Sequence, residues 1–238
     1  PLQLYTQDLA GNQLNDVSET PEIHIDTKGP TWTVSLSDTD LRPGETAEVT
    51  FTFSEAVTGF TKDDVIFPGG TLSDLTSSDG GVTWIAIFTP DANSVSQENL
   101  IGLRGSGVTD LHGNAALSQF RSDSDYRVDT RRPTATITLS DTDLKAGEAA
   151  EVTITFSHTV HGFDLDDLTV ENGILSLHDF EFLDGLPLQS LTGTFTPSED
   201  ITDASNVISL NLAGISIYRG NTGTGSATSD NFAIDTER

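Results

Sequence analysis

The sequence predicts an all-β protein, built of tandem β-sandwich modules arranged as an elongated rod. Three observations carry that prediction. The hexapeptide Leu36-Ser37-Asp38-Thr39-Asp40-Leu41 returns as Leu139-Ser140-Asp141-Thr142-Asp143-Leu144, about 100 residues later, which is the length of one small sandwich domain. Apolar residues alternate with Thr and Ser at the period of 2 that a strand with one buried face requires. No segment keeps the 3.6-residue apolar period of a helix.

Residues 1–29 read as the closing strands and loop of a preceding module. Asp8-Leu9-Ala10-Gly11-Asn12 matches Asp110-Leu111-His112-Gly113-Asn114, and Ile23-His24-Ile25-Asp26-Thr27 matches Tyr126-Arg127-Val128-Asp129-Thr130. Module 1 spans residues 30–132 and module 2 residues 133–238. In module 1, Trp32, Val34 and Leu36 alternate with Thr33 and Ser35, and after an acidic turn ending at Gly44, Val49, Phe51 and Phe53 point inward. Module 2 repeats this with Ala135, Ile137 and Leu139, then Val152, Ile154 and Phe156. Thr on the outer face is a good strand former that is not sticky.

Ser77-Ser78-Asp79-Gly80-Gly81 signals a turn before the strand from Val82 to Thr89. The two copies decide which face of that strand is core. Trp84, Ala86 and Phe88 align with Leu191, Gly193 and Phe195, whereas Ile85 and Ile87 align with Thr192 and Thr194, so the first set faces inward. Phe88-Thr89-Pro90 recurs as Phe195-Thr196-Pro197, and Asn99-Leu100-Ile101-Gly102-Leu103 as Asn206-Val207-Ile208-Ser209-Leu210. Tyr126 to Thr130 and Phe232 to Thr236 close the modules. The linkers Thr27-Lys28-Gly29-Pro30 and Thr130-Arg131-Arg132-Pro133 are short, and a Pro beside a brief connection restricts rotation.

Composition narrows the partners. The chain has 238 residues, 37 acidic and 11 basic, for a formal net charge of −26. Nucleic acid is excluded as a partner, because its binding depends on Lys and Arg neutralising phosphates, and an anionic membrane surface is repelled for the same reason. Cations are the partners this charge invites. There is no cysteine to staple the fold, and no apolar run long enough to span a bilayer. With no Met and with Pro1-Leu2-Gln3 at its start, the sequence is read as a monomeric piece cut from a longer polypeptide.

The residues now carry a resemblance. Leu-Ser-Asp-Thr-Asp-Leu followed by Gly-Glu, the run Val49 to Phe60, Phe-Thr-Pro, Asp-Leu-x-Gly-Asn and the closing Val/Ile-Asp-Thr resemble the bacterial Ig-like repeats of giant secreted adhesins of the RTX and biofilm type. The resemblance covers nearly the whole chain. It implies an extracellular, cell-surface location, often reached by type I secretion, and a spacer role in biofilm or host attachment. It also implies calcium stiffening the array, with neighbouring modules of the same chain as partners.

The acidic residues suit that implication. In a seven-strand sandwich, one pole of module 1 gathers Asp38, Asp40 and Asp129, with Asp91 and Glu98 near them. The other pole gathers Glu55, Asp63, Asp64, Asp79, Asp110 and Asn114 and faces Asp26 of the preceding piece. Module 2 offers Asp141, Asp143 and Asp235 at one pole and Asp164, Asp166, Asp167 and Asp184 at the other. Two acidic poles meeting at a joint repel unless a cation intervenes. Ca2+ fits because it takes six to eight oxygens in flexible geometry, where Mg2+ demands a near-ideal octahedron. The candidate ligands are therefore Asp26, Asp38, Asp40, Asp63, Asp64, Asp110, Asn114, Asp129, Asp141, Asp143, Asp166, Asp167 and Asp235. An EF-hand is excluded, since the fifth position counted from Asp38 is Arg42.

Each of these residues has a plainer reading, because Asp in turns accepts hydrogen bonds from its own backbone. In module 2 the loop matching Asp110 to Asn114 reads Ile217-Tyr218-Arg219-Gly220-Asn221, and Glu55 becomes His158. His158 and His161 lack a third nitrogen or a thiolate and are assigned structural roles. No Gly-x-Ser-x-Gly elbow occurs, and acidic pairs are too common here to mark a glycosidase, so no catalysis is expected. The competing function is a ligand-binding adhesive module for a glycan or protein, using the departures at Leu177 to Pro187 with Phe180, Phe182, Leu186 and Pro187.

Overall fold

A computed structural model describes residue 10, residues 25–178 and residues 186–237. Most of the segment 1–29, together with Phe180, Phe182 and Asp184, lies outside the described residues, as does the side chain of Glu98. Within them the only regular elements are strands and three single-turn 3-10 helices, at Lys62–Asp64, Gly105–Gly107 and Leu165–Asp167.

Module 1 is two facing sheets with a two-stranded ribbon, Val57–Thr58 with Thr109–Asp110, beside them. Trp32–Leu36, Ala47–Phe53, Thr83–Pro90 and Gly70–Leu72 form one, in that order. Asp40–Leu41, Gln119–Asp129, Val95–Leu103 and Val65–Ile66 form the other. The acidic turn is the crossover: the chain leaves the first sheet at Leu36 and enters the second at Asp40, where it runs parallel to the closing strand, Val128 beside Leu41. Every other pairing in the two sheets is antiparallel.

Module 2 repeats the plan. Ala135–Leu139, Ala150–His161, Leu188–Pro197 and Gly173–Leu177 form the first sheet. Its second layer divides into Asp143–Lys145 with Phe232–Asp235 and Thr202–Asn206, and Leu168–Val170 with Ile208–Asn211 and Ser226–Thr228. Asp143–Lys145 again pairs in parallel with the closing strand.

Each module buries its own core between its layers. Val49, Phe51, Phe88, Ile101, Tyr126 and Val128 are inside module 1, and Val152, Ile154, Phe195, Ile208, Phe232 and Ile234 inside module 2. The face assignment of the central strand holds: Ala86 and Phe88 are buried, whereas Ile85 and Ile87 are 37% and 41% exposed. The cores even repeat their aromatic pairs. Phe88 meets Tyr126 edge-on at 5.5 Å, and Phe195 meets Phe232 at 5.2 Å. Such edge-to-face contacts add to the burial of two large rings. The Tyr126 hydroxyl, which Phe232 lacks, donates to the Pro68 carbonyl.

Candidate functional site at the module joints

The serine and the first aspartate of the repeated hexapeptide accept from nearby amides. Glu48 N donates to Ser37 Oγ at 2.9 Å and Asp40 N to Asp38 Oδ1 at 2.9 Å. Module 2 repeats both, with Glu151 N to Ser140 Oγ at 2.8 Å and Asp143 N to Asp141 Oδ1 at 3.0 Å. The glutamate that follows accepts too: Arg42 N reaches Glu45 Oε2, and Lys145 N reaches Glu148 Oε2, both at 2.8 Å. Gly44 and Gly147 sit at φ of 87° and 83°, a left-handed conformation that favours glycine. Leu41 and Leu144 are fully buried.

Other candidate ligands also serve local structure. Asp64 Oδ2 accepts from Thr61 N and Asp167 Oδ2 from Asp164 N, each closing a 3-10 turn, while Asp164 Oδ1 caps Asp166 N. The Asp63 carbonyl accepts from Arg104, and Asp235 accepts from the Thr202 hydroxyl at 3.2 Å. Asp79 takes donors from Ser77, Val82 N and Thr83 N. Those bonds, the Thr83 amide first, hold its carboxyl down to about 2.

The joints are where residues distant in sequence converge. Each begins with the aspartate of the closing Asp-Thr pair and ends on a Gly-Asn loop of the next module. At the joint entering module 1, Asn114 Nδ2 donates to the Asp26 carbonyl at 3.2 Å and to Asp110 Oδ2 at 2.8 Å. Asp110 is 2% exposed, and its Oδ1 accepts from His112 N and Asn114 N, each at 2.8 Å. Burial pushes this carboxyl up, but the donors of Asn114 and His112 outweigh it and leave it below the ordinary range. His112 Nδ1 lies 3.5 Å from Asp26 Oδ2. Asp26, Asp110 and His112 thus offer three ligand atoms within 4.8 Å of one another. The linker packs tightly here, since a Cβ on Gly29 would fall 2.0 Å from the Ala115 carbonyl oxygen.

The joint between modules 1 and 2 has the same backbone and different side chains. Asn221 Nδ2 donates to the Asp129 carbonyl at 2.7 Å and the Arg131 carbonyl at 3.0 Å, while its buried Oδ1 has no hydrogen-bond partner among the described residues. Ile217 stands where Asp110 stood. Asp129, 4% exposed, is gripped by Arg131 through Nε at 3.0 Å and the second guanidinium nitrogen at 2.8 Å. Arg219, from the position of His112, lies 3.9 Å from Asp129 and 3.4 Å from Asp40. The hydrogen bonds of Arg131 hold the Asp129 carboxyl below its usual range, helped by the charge of Arg219. Arg132 replaces Gly29 and donates to the Thr222 carbonyl at 2.6 Å, the counterpart of the Ala115 carbonyl.

Sequence reading placed Asp26, Asp110 and Asn114 together, and the structure brings them together. It placed Asp40 and Asp129 at one pole, and Arg219 spans them. The arginines went unread. The signal was present in the aligned copies, where His112 becomes Arg219 and Lys28 becomes Arg131.

Two tandem immunoglobulin-like sandwiches joined end to end are the class of protein this geometry defines. The chain belongs to the bacterial Ig-like domain family, whose pattern matches residues 26–127 and again 129–234. No curated protein matches the sequence. Among solved structures, it is similar to the Yersinia pseudotuberculosis adhesin InvE, at 13% identity and a TM-score of 0.34, covering 83% of this chain and 58% of that one. The Escherichia coli adhesin FdeC is similar at 17% identity and a TM-score of 0.31, covering 87% of this chain and 64% of that one. The I9–I11 tandem of titin follows at 7% identity and a TM-score of 0.25, covering 88% and 66%. The chain therefore spans less than two thirds of the length of each. No helix among the described residues is long and apolar enough to cross a membrane.

Proposed function

We propose that this chain is a structural extender, a non-enzymatic spacer segment of a large bacterial cell-surface adhesin, stiffened by Ca2+ at the joint entering module 1. The observation that carries the reading is the repeated clamp. At both joints an asparagine from the next module takes the backbone carbonyl of the preceding module's closing aspartate. A joint reproduced from one module to the next is what an array of spacers needs, because it sets the angle between neighbours at every repeat. The partners in this reading are adjacent modules of the same polypeptide, outside the cell.

The donor set at the first joint fits a calcium ion. Two carboxylates, Asp26 and Asp110, approach each other with the His112 imidazole beside them and Asn114 donating to the Asp26 carbonyl, and a hard cation prefers the carboxylate oxygens. Asp26, Asp110 and Asn114 would hold the ion. Once bound, it would supply the positive charge that lets two carboxylates share one site. In this reading the remaining aspartates serve turns, caps and ion pairs.

An adhesive module recognising a glycan has less to stand on. The surface it would use, Leu177 to Pro187, lies mostly outside the described residues, and among the described residues the cleft between the modules, about 560 Å³, is lined by Pro43, Pro90, Thr130, Arg132, His158 and neighbours without Trp, Tyr or Phe.

The test is a calcium titration of this chain followed by calorimetry, with Asp110→Asn as the control. Heat of binding and a raised melting temperature are expected for the parent chain, reversed by EGTA and absent in the variant. A parent chain indifferent to both calcium and EGTA sinks the calcium part of the reading. Binding of the isolated chain to a glycan array or to cells sinks the spacer part.

A further inference from the structure

The two joints surround their aspartates with different partners. At the first, Asp26 meets a carboxylate and an imidazole. At the second, Ile217 removes that carboxylate, and the buried Asp129 already has the paired nitrogens of Arg131 at 3.0 and 2.8 Å. This donor set does not fit calcium, because the buried carboxylate is already neutralised by a guanidinium and no second carboxylate stands at position 217. A planar guanidinium binding in two-point fashion satisfies a carboxylate geometrically as well as electrostatically.

Arg219 adds the contact that links modules. It rises from a loop of module 2 and lies within 4 Å of two carboxylates of module 1, Asp40 at 3.4 Å and Asp129 at 3.9 Å. Those two acids stand on neighbouring strands that run in parallel, with Arg127 opposite Asp40 in the register. Arg132 extends the bridge, from the Thr222 carbonyl at 2.6 Å to the Pro43 carbonyl at 3.5 Å. Arg42, Arg131, Arg132 and Arg219 all gather here, out of 11 basic residues in a chain of net charge −26. Basic residues are scarce in this chain, and this joint takes a large share of them.

We propose that the joint between modules 1 and 2 is locked without metal, with Arg219 of module 2 strapping Asp40 and Asp129 of module 1. The array then mixes joints of two kinds, and the residues at positions 110 and 112 of one module, or 217 and 219 of the next, decide which kind a joint is. The lock rests on its own geometry and stands whether or not calcium binds at the first joint.

Spin labels test this cleanly, because the chain has no cysteine. Thr52→Cys and Thr155→Cys place one label on an exposed strand position in each module, and pulsed dipolar spectroscopy reads the distance between them. The expected result is a narrow distribution that is the same in calcium and in EDTA, and that broadens on Arg219→Ala or in high salt. Unchanged near-ultraviolet circular dichroism establishes that the variant is folded, and Asp129→Asn, which removes the carboxylate's charge instead, broadens the distribution in the same way. A distribution that responds to EDTA in the parent chain overturns the proposal, as does one indifferent to both substitutions. Failure of calcium to bind at the first joint shows in the calcium titration of the parent chain and leaves this distance unaffected.

Discussion

Asp79 shows what an aspartate does for this fold through its own backbone. Its carboxylate collects the hydroxyl of Ser77 and the amides of Val82 and Thr83, and Gly80 and Gly81 take positive φ beside it, so that the chain reverses before the strand Thr83–Pro90. The consequence for pH follows from the sign of the shift. A carboxyl held down from 3.8 to about 2 releases protons more readily folded than unfolded, so its contribution is complete above about pH 4 and disappears as pH falls through about 2. Asp79→Asn, which keeps one acceptor and loses the charge, should therefore melt below the parent chain at pH 6, with the gap closing between pH 4 and pH 2. Thermal melts across that range measure it, and a gap that persists at pH 2 contradicts the assignment. At this scale the sequence was only partly legible. The Ser-Ser-Asp-Gly-Gly turn was readable because its partners are a few residues apart. Asp129 with Arg219 was not, because that contact exists only once two modules have docked.

The turn that opens the second sheet is the element most fully written into the sequence. Its leucine is fully buried in both modules, as Leu41 and Leu144, and the serine, the first aspartate and the following glutamate each accept from a nearby amide. Leu41→Ala removes packing from the centre of module 1 and should cost about 3 kcal/mol, the usual scale for emptying a closely packed leucine site. The same change at Leu144 should destabilise module 2 alone, since the two cores share no residue. Asp38→Asn, in contrast, retains an oxygen for the Asp40 amide and should leave the melting temperature where it is, with calcium present or absent. Denaturation of the three variants separates packing from metal binding: a calcium-dependent loss in Asp38→Asn would move the ion to this turn. Periodicity made the strands legible here, and repetition identified the buried face of Thr83–Pro90. The division of module 2's second layer into two smaller sheets was not legible, because register shifts such as that between Asp203 and Asn206 leave the apolar pattern unchanged.

For the whole molecule, the decisive quantity is how firmly one module holds the next, and a short linker alone does not set it. Asn221 sits at the centre of the second joint, 4% exposed, and its amide takes the carbonyls of both Asp129 and Arg131. Asn221→Ala leaves two linker carbonyls without that donor, at a cost of about 1 to 3 kcal/mol. The loss falls on the joint more than on either core, because the two carbonyls belong to the end of module 1 and the linker while Asn221 belongs to module 2. Calorimetry should therefore show the two modules melting more independently in Asn221→Ala than in the parent chain, with module 2 shifted little in midpoint. Arg219→Ala should act in the same direction and lose its effect in high salt, where exposed charge pairs are screened. The Asn221 effect should survive the salt, because a buried amide–carbonyl bond carries no net charge to screen. If both variants weaken together as salt rises, the joint is held by charge alone and the asparagine is only a filler.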